Sequence, residues 1–117
     1  MSAAEVRQAL ADAASTVEGI TCFPYYKQMT KPGGACVRKD RTEYPNDFGG
    51  VNTWQVVVIL PQDQAAAEKF MDEKTPLLVA ALSPEMRVTE AYPTVTVLPD
   101  GGSAVNTVLI QGNREEE

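Results

Sequence analysis

The sequence predicts an α+β fold, an α/β sandwich with helices packed on one face of a mostly antiparallel mixed sheet of four to five strands. Three observations predict it. Periodicity changes along the chain in the order helix, strand, strand, strand, helix pair, strand, strand. The run "TWQVVVIL" is apolar on both faces after Gln55, as a central strand covered on both sides requires. Pro99-Asp100-Gly101-Gly102 separates two strand-like stretches, a hairpin signature because aspartate and glycine tolerate positive φ.

"SAAEVRQALADAASTV" reads as an amphipathic helix in which Val6, Leu10, Ala13, Ala14 and Val17 form the buried stripe. Ser2 and Glu5 have capping-box spacing, each side chain satisfying the other's free backbone donor. Gly19 breaks the helix. "ITCFPYY" is a strand that Pro24 ends early or confines to an edge, because proline gives the ladder no N–H. Pro32-Gly33-Gly34 marks a turn, "ACVRKDRTEY" a second strand, and "PNDFGGVN" a second loop rich in turn formers.

Pro61 ends the central strand, and Asp63 caps a helix over "QAAAEKFMDEK" that buries Phe70 and Met71. Thr75-Pro76 reads as a new start, threonine capping and proline at the first helical position, with "LLVAAL" as a second, offset segment. Ser83-Pro84 closes it. "MRVTEAYPTVTVL" and "SAVNTVLIQGN" are the arms of the last hairpin, and Tyr92-Pro93 marks a bulge or bend in the first arm. "REEE" reads as a frayed acidic tail, so one domain spans 1–113 and a tail 114–117.

At 117 residues with 44% apolar side chains, the chain is expected to form one globular domain around one core. No run approaches the roughly 20 apolar residues of a membrane span. The first residues lack the basic start and apolar stretch of a signal peptide, so a cytosolic origin is expected. Cys22 and Cys36 stand apart from each other and from any metal-ligand pattern. A disulfide between them is geometrically possible if their strands pair, but a reducing cytosol favours two small buried hydrophobes.

Catalytic patterns are missing. The chain has no histidine, which removes the commonest general base and every triad built on one. No P-loop motif occurs, and "PGGACV" and "DGGSAV" read as turns, since neither follows a strand and opens a helix. Asp72 and Glu73 are helix neighbours that do not face a common point. Asp40 and Asp47 fall among turn residues, where aspartate bonds its own backbone. The expectation is a protein that is no enzyme and carries no catalytic residue, cofactor or metal.

Charge is the informative feature. The net charge is −6 and the pI about 4.6, yet residues 27–41 hold Lys27, Lys31, Arg38, Lys39 and Arg41 against Asp40 alone. Such a basic loop suits an acidic protein partner or a neighbouring copy of the same chain; the plainer reading is a solvated lysine-rich connection. Phe23, Tyr25 and Tyr26 precede the first lysines, but the acidic body opposes a phosphate backbone, so sequence-specific nucleic-acid binding is not expected. Phe23 and Tyr25 share a strand face and read as core, leaving Tyr26 exposed. Tyr44 and Phe48 either anchor on a neighbour or fold back as a lid over the helix.

The N-terminal amphipathic helix, then "EGITCFPYYKQMTKPGGACV" with its aromatic-proline step and Pro-Gly-Gly-Ala before the next strand, precede a strong middle strand, a helix and a final hairpin. In that order and spacing, over residues 3–111, the chain resembles the tail terminator proteins of long-tailed bacteriophages, particularly those of phages infecting actinobacteria. The length of 38–52 and the "REEE" ending depart from the pattern. The resemblance implies an α/β fold, no catalysis, and a homohexameric ring at the head-facing end of the tail tube. Such a ring stops tube growth and presents a surface to the head connector.

The implied partners are copies of the chain itself, the major tail tube protein and the head-closure or connector protein, with DNA passing through the lumen unread and no membrane. The implied location is the virion, after assembly in the host cytoplasm. Tyr26, Lys27, Lys31, Arg38, Lys39, Arg41, Tyr44 and Phe48 are the residues expected at partner contacts. Two other readings stand beside this one: another neck protein for head closure or tail completion, and a small α+β ligand-binding or regulatory domain.

Overall fold

A computed structural model of the chain describes residues 2–29, 31–46, 49–97 and 104–115. Its elements are α1 (Ala3–Ser15), β1 (Thr21–Phe23), β2 (Gly34–Asn46), β3 (Gly49–Ile59), α2 (Gln64–Leu82), β4 (Arg87–Val97) and β5 (Ala104–Glu115). The strands form one sheet in the order β1-β2-β3-β5-β4. β1 lies parallel to β2 and all other pairs are antiparallel, so the fold is α+β with a mixed sheet.

Both helices lie against one face. Val6, Leu10, Ala11, Ala14 and Val17 from the first helical region and Leu78 and Leu82 from α2 meet Ala35, Val37, Trp54, Val56, Val58, Val108 and Ile110. Each fully buried aliphatic side chain in that layer contributes roughly 1.5–3 kcal/mol. α1 opens with the expected capping box: Glu5 N donates to Ser2 Oγ at 3.2 Å and Ser2 N to Glu5 Oε1 at 3.0 Å. It ends at Ser15, with Thr16 as C-cap, before Gly19 is reached; Gly19 serves the following turn at φ +85°. Asp63 caps α2 by accepting from Ala66 N at 3.0 Å.

Several local expectations are corrected. The segment "PNDFGGVN" is not a loop over its described residues: β2 runs through Asn46 and β3 begins at Gly49. Pro45 is tolerated because β1 pairs only with Gly34–Cys36, which leaves the far half of β2 as an edge where a missing N–H breaks no ladder bond. Asp40 therefore sits in a strand, at a bulge between Lys39 and Arg41, while Asp47 lies outside the described residues. α2 is one helix with Pro76 inside it, not two offset segments. Leu78 and Leu82, both fully buried, hold the turns after Pro76 on the core, and the carbonyl it leaves free belongs to exposed Asp72.

The bulge in β4 falls at Thr89, between Val88 and Glu90; Tyr92 and Pro93 pair regularly with Leu109 and Val108. An edge strand has one side without a partner, so Pro93 need not break the ladder. Arg114 and Glu115 belong to β5 and are no tail. Arg114 Nη1 donates to Glu85 O at 2.8 Å and reaches Glu85 Oε2 at 3.4 Å, tying the end of β5 to the turn after α2.

The register sets the outline. β3 pairs with β5 from Val51↔Glu115 to Ile59↔Thr107. β2 and β3 continue past that pairing to Asn46↔Gly49 at one end of the sheet. β4 and β5 continue to Val97↔Ala104 at the other. Two hairpin arms thus leave opposite ends of a molecule 47 Å long and 21 Å thick.

Candidate assembly surface

The second face of the sheet carries no helix, yet Val57, Ile59 and Leu109 on it are buried. The β1–β2 connection is the reason at one end. Tyr25, Tyr26, Lys27 and Met29 come over the sheet and line a groove of about 500 Å³ with Cys36, Val57 and Ile59 at its base. The apolar character of this side of β3 is thus accounted for within one chain and does not by itself demand another subunit.

Arg7 braces the connection from α1. Its Nη1 donates to Pro24 O at 3.0 Å and to Val37 O at 3.1 Å, and its guanidinium carbon lies 4.6 Å from the Tyr25 ring and 5.4 Å from the Trp54 ring. Lys39 Nζ approaches Trp54 to the same 5.4 Å, and Lys27 Nζ stands 4.4 Å from the Phe23 ring. Cations over aromatic faces are favourable because the ring quadrupole is negative there. Tyr25 is 55% exposed and follows β1, so it is not core as expected; Phe23 is only half-buried. The proline step ends β1 at Phe23 and turns both tyrosines out of the sheet.

The expected contact residues separate into two groups. Tyr26, Lys27 and Lys31 belong to the connection and are exposed. Arg38, Lys39 and Arg41 stand on β2, so the basic segment is half loop and half strand. Register gives them different faces: Arg38 pairs with Gln55 and Arg41 with Thr53 on the groove side, while Lys39 pairs with Trp54 on the helix side. Arg41 is already compensated, its Nε 3.6 Å from Asp40 Oδ2 and 3.3 Å from Glu43 Oε1 in exposed ion pairs. Tyr44 is 68% exposed near the tip of its arm, on the helix side, where it lines a hollow with Ser2, Ala3 and Val6 at the start of α1; Phe48 lies outside the described residues.

One constellation joins residues far apart in the sequence. Arg38 Nε donates to Gln55 Oε1 at 2.8 Å, Gln55 Nε2 to Gln111 Oε1 at 2.9 Å, and Gln111 Nε2 to Glu90 Oε1 at 2.9 Å. These four side chains form a ladder across β2, β3, β5 and β4, in which every donor points the same way. A cation stands at one edge of the sheet and an anion at the other. Gln55 at the head of the apolar run of β3 is its one local trace in the sequence, and it does not point to the partners.

Cys22 and Cys36 are free thiols on neighbouring strands; Cys22 pairs in register with Ala35, and Cys36 with Phe23. Burial pushes the Cys22 thiol up to about 12, with Cys36 adding to the effect. Burial also raises Cys36, opposed by Arg38, Arg7 and the Lys27 backbone N–H. Neither is poised as a nucleophile. Among the described residues no group of three or more cysteine or acidic side chains could hold a metal ion, and no helix is long and apolar enough to cross a membrane. Compared with known proteins, the chain matches no family model and no curated sequence.

Proposed function

We propose that this chain is a virion structural protein that works as a tail terminator. In this reading it closes into a homohexameric ring on the tail tube, stops the tube's growth and offers its other side to the head connector. The observation that carries the reading is the pair of hairpin arms leaving opposite ends of the sheet, each with exposed apolar side chains. Tyr44 stands on one arm at 68% exposure, Val95 and Val97 on the other at 61% and 63%. A subunit stacked between a tube below and a connector above needs a contact at each end, and exposed aromatic and aliphatic side chains are suited to anchor such contacts. The basic β1–β2 side and the acidic remainder supply two unlike lateral surfaces, as head-to-tail ring contacts require.

The groove of about 500 Å³ favours a second reading, a small-ligand domain, since its size and apolar base fall within the range of small-molecule sites. One experiment separates the two. Tail-tube subunits polymerised with rising amounts of the purified chain are measured for length by electron microscopy. A terminator shortens and caps the tubes in proportion to its concentration; unchanged tube lengths overturn the proposal.

A further inference from the structure

We infer that copies of this chain join side by side, the free edge of β2 in one copy meeting the free edge of β4 in the next. In that contact Arg38 of one copy is placed against Glu90 of its neighbour. This rests on the assembly reading above and gives it a lateral interface.

The two edges are open in the single chain. β1 covers β2 only from Gly34 to Cys36, so from Arg38 onward β2 has β3 on one side and no strand on the other. β4 ends the sheet on the opposite side. Open strand edges present unpaired N–H and C=O groups that accept another strand. Directions also agree: β2 is antiparallel to β3, β3 to β5 and β5 to β4, so β2 and β4 of two copies in the same orientation meet as an antiparallel pair.

The ladder sets which rows meet. Arg38, Gln55, Gln111 and Glu90 share one row, and Cys36, Val57, Leu109 and Tyr92 the next. With Glu90 of the neighbour opposite Arg38, its Tyr92 reaches the row where β1 already occupies the edge of β2. The following residue of β4 is Pro93, which has no N–H to give. The obstruction on β2 and the missing donor on β4 thus fall within one residue of each other. Arg7 Nη1 already takes Val37 O on that edge of β2, so the contact is limited to β4 from Arg87 to Glu90 against β2 from Arg38 to Arg41, a short pairing led by side chains.

The ladder also selects the symmetry. Among the described residues Arg38 uses only Nε, on Gln55, and neither Arg38 nor Glu90 makes an ion pair. A head-to-tail neighbour lets the guanidinium fork donate to the Glu90 carboxylate, so the one-way chain of donors passes from copy to copy. A twofold contact pairs β2 with β2 or β4 with β4 and brings like-charged ladder ends to the same side. Only the heterologous contact repeats the match, and a heterologous contact closes into a ring when its rotation is right.

The test is mass against concentration for the full-length chain by native mass spectrometry and sedimentation, with and without tube subunits. Arg38→Glu and Glu90→Arg should each weaken association roughly tenfold or more, and the double exchange in one chain should restore it to about the wild-type level. Arg38→Gln and Glu90→Gln keep partners for the ladder within the chain, so weakened association with an unchanged melting temperature separates interface from fold. Single variants that assemble like the wild type overturn the edge pairing and leave the ring reading standing. A wild-type chain that never associates, alone or on tubes, overturns both.

Discussion

Gln55 Nε2 donates to Gln111 Oε1 across 2.9 Å in the middle of the sheet, one row from the apolar pair Val57 and Leu109. Gln55 is buried and bonded on both sides, so its side chain is part of the sheet's framework. Gln55→Ala should lower unfolding stability by about 1–3 kcal/mol, because both bonded neighbours lose a partner. Urea denaturation checks it: the midpoint falls while the slope stays constant.

Gly33 and Gly19 both hold positive φ, +89° and +85°, but only Gly33 is crowded. A Cβ on Gly33 would fall on the Gly19 carbonyl oxygen, while one on Gly19 meets only the flexible end of Lys74, at 3.7 Å. Gly33 also donates to Ile59 O at 2.9 Å and accepts from Thr21 N at 3.0 Å, which locks β1 beside β2. Gly19→Ala should cost about 1–2 kcal/mol, the left-handed penalty alone. Gly33→Ala should cost clearly more, and thermal melts of the two variants give the order.

Pro76 stands in the interior of α2, and Thr75 Oγ1 beside it is buried without a hydrogen-bond partner. Pro76→Ala restores an N–H to the helix and removes the ring, at an exposed position where nothing else is lost. The variant should be more stable by up to about 3 kcal/mol, the difference between alanine and proline in a helix interior. A lower melting temperature would show that the proline matches the local backbone.

Cys22 should make the fold sensitive to alkali. Its folded pKa, about 12, lies above the ordinary thiol value of 9.0, so the unfolded chain releases the proton first. The stabilisation is complete below pH 9.0 and is lost as pH rises toward 12, by roughly 1.4 kcal/mol per pH unit. Cys22→Ala should flatten that slope in urea titrations between pH 8 and 10.5. A thiol reagent at pH 8 should label half-buried Cys36 before Cys22.

The sequence made legible whatever depends on near neighbours. The Ser2–Glu5 box, the Asp63 cap and the central run of β3 rest on local chemistry or on an unbroken apolar pattern, and each stands where that chemistry puts it. Prolines misled wherever pairing or packing decided the outcome. Pro45 and Pro93 sit in edge strands, and Pro76 is held in its helix by buried Leu78 and Leu82. The Arg38–Gln55–Gln111–Glu90 ladder was not legible, because its members are distant in sequence and meet only through the register of three strand pairs. Arg38 stands out in the sequence by its basic neighbours; Glu90, at the far end of the ladder, is one acid among many in an acidic chain.

The charges of the β1–β2 side give a further expectation. Changing Lys27, Lys31 and Arg38 together to glutamate should leave a folded monomer, since all three are exposed, and should weaken assembly. Circular dichroism verifies the fold, and the yield of assembled particles measures the effect. An unchanged yield removes this side from the interface.

The most direct test is the copy number of the chain on a finished tail tube, counted by cryo-electron microscopy of tubes capped in its presence. The account predicts one closed ring of six copies at one end of each tube, neighbours joined by unlike edges. Copies bound singly, scattered along the wall, or absent from every tube end contradict it.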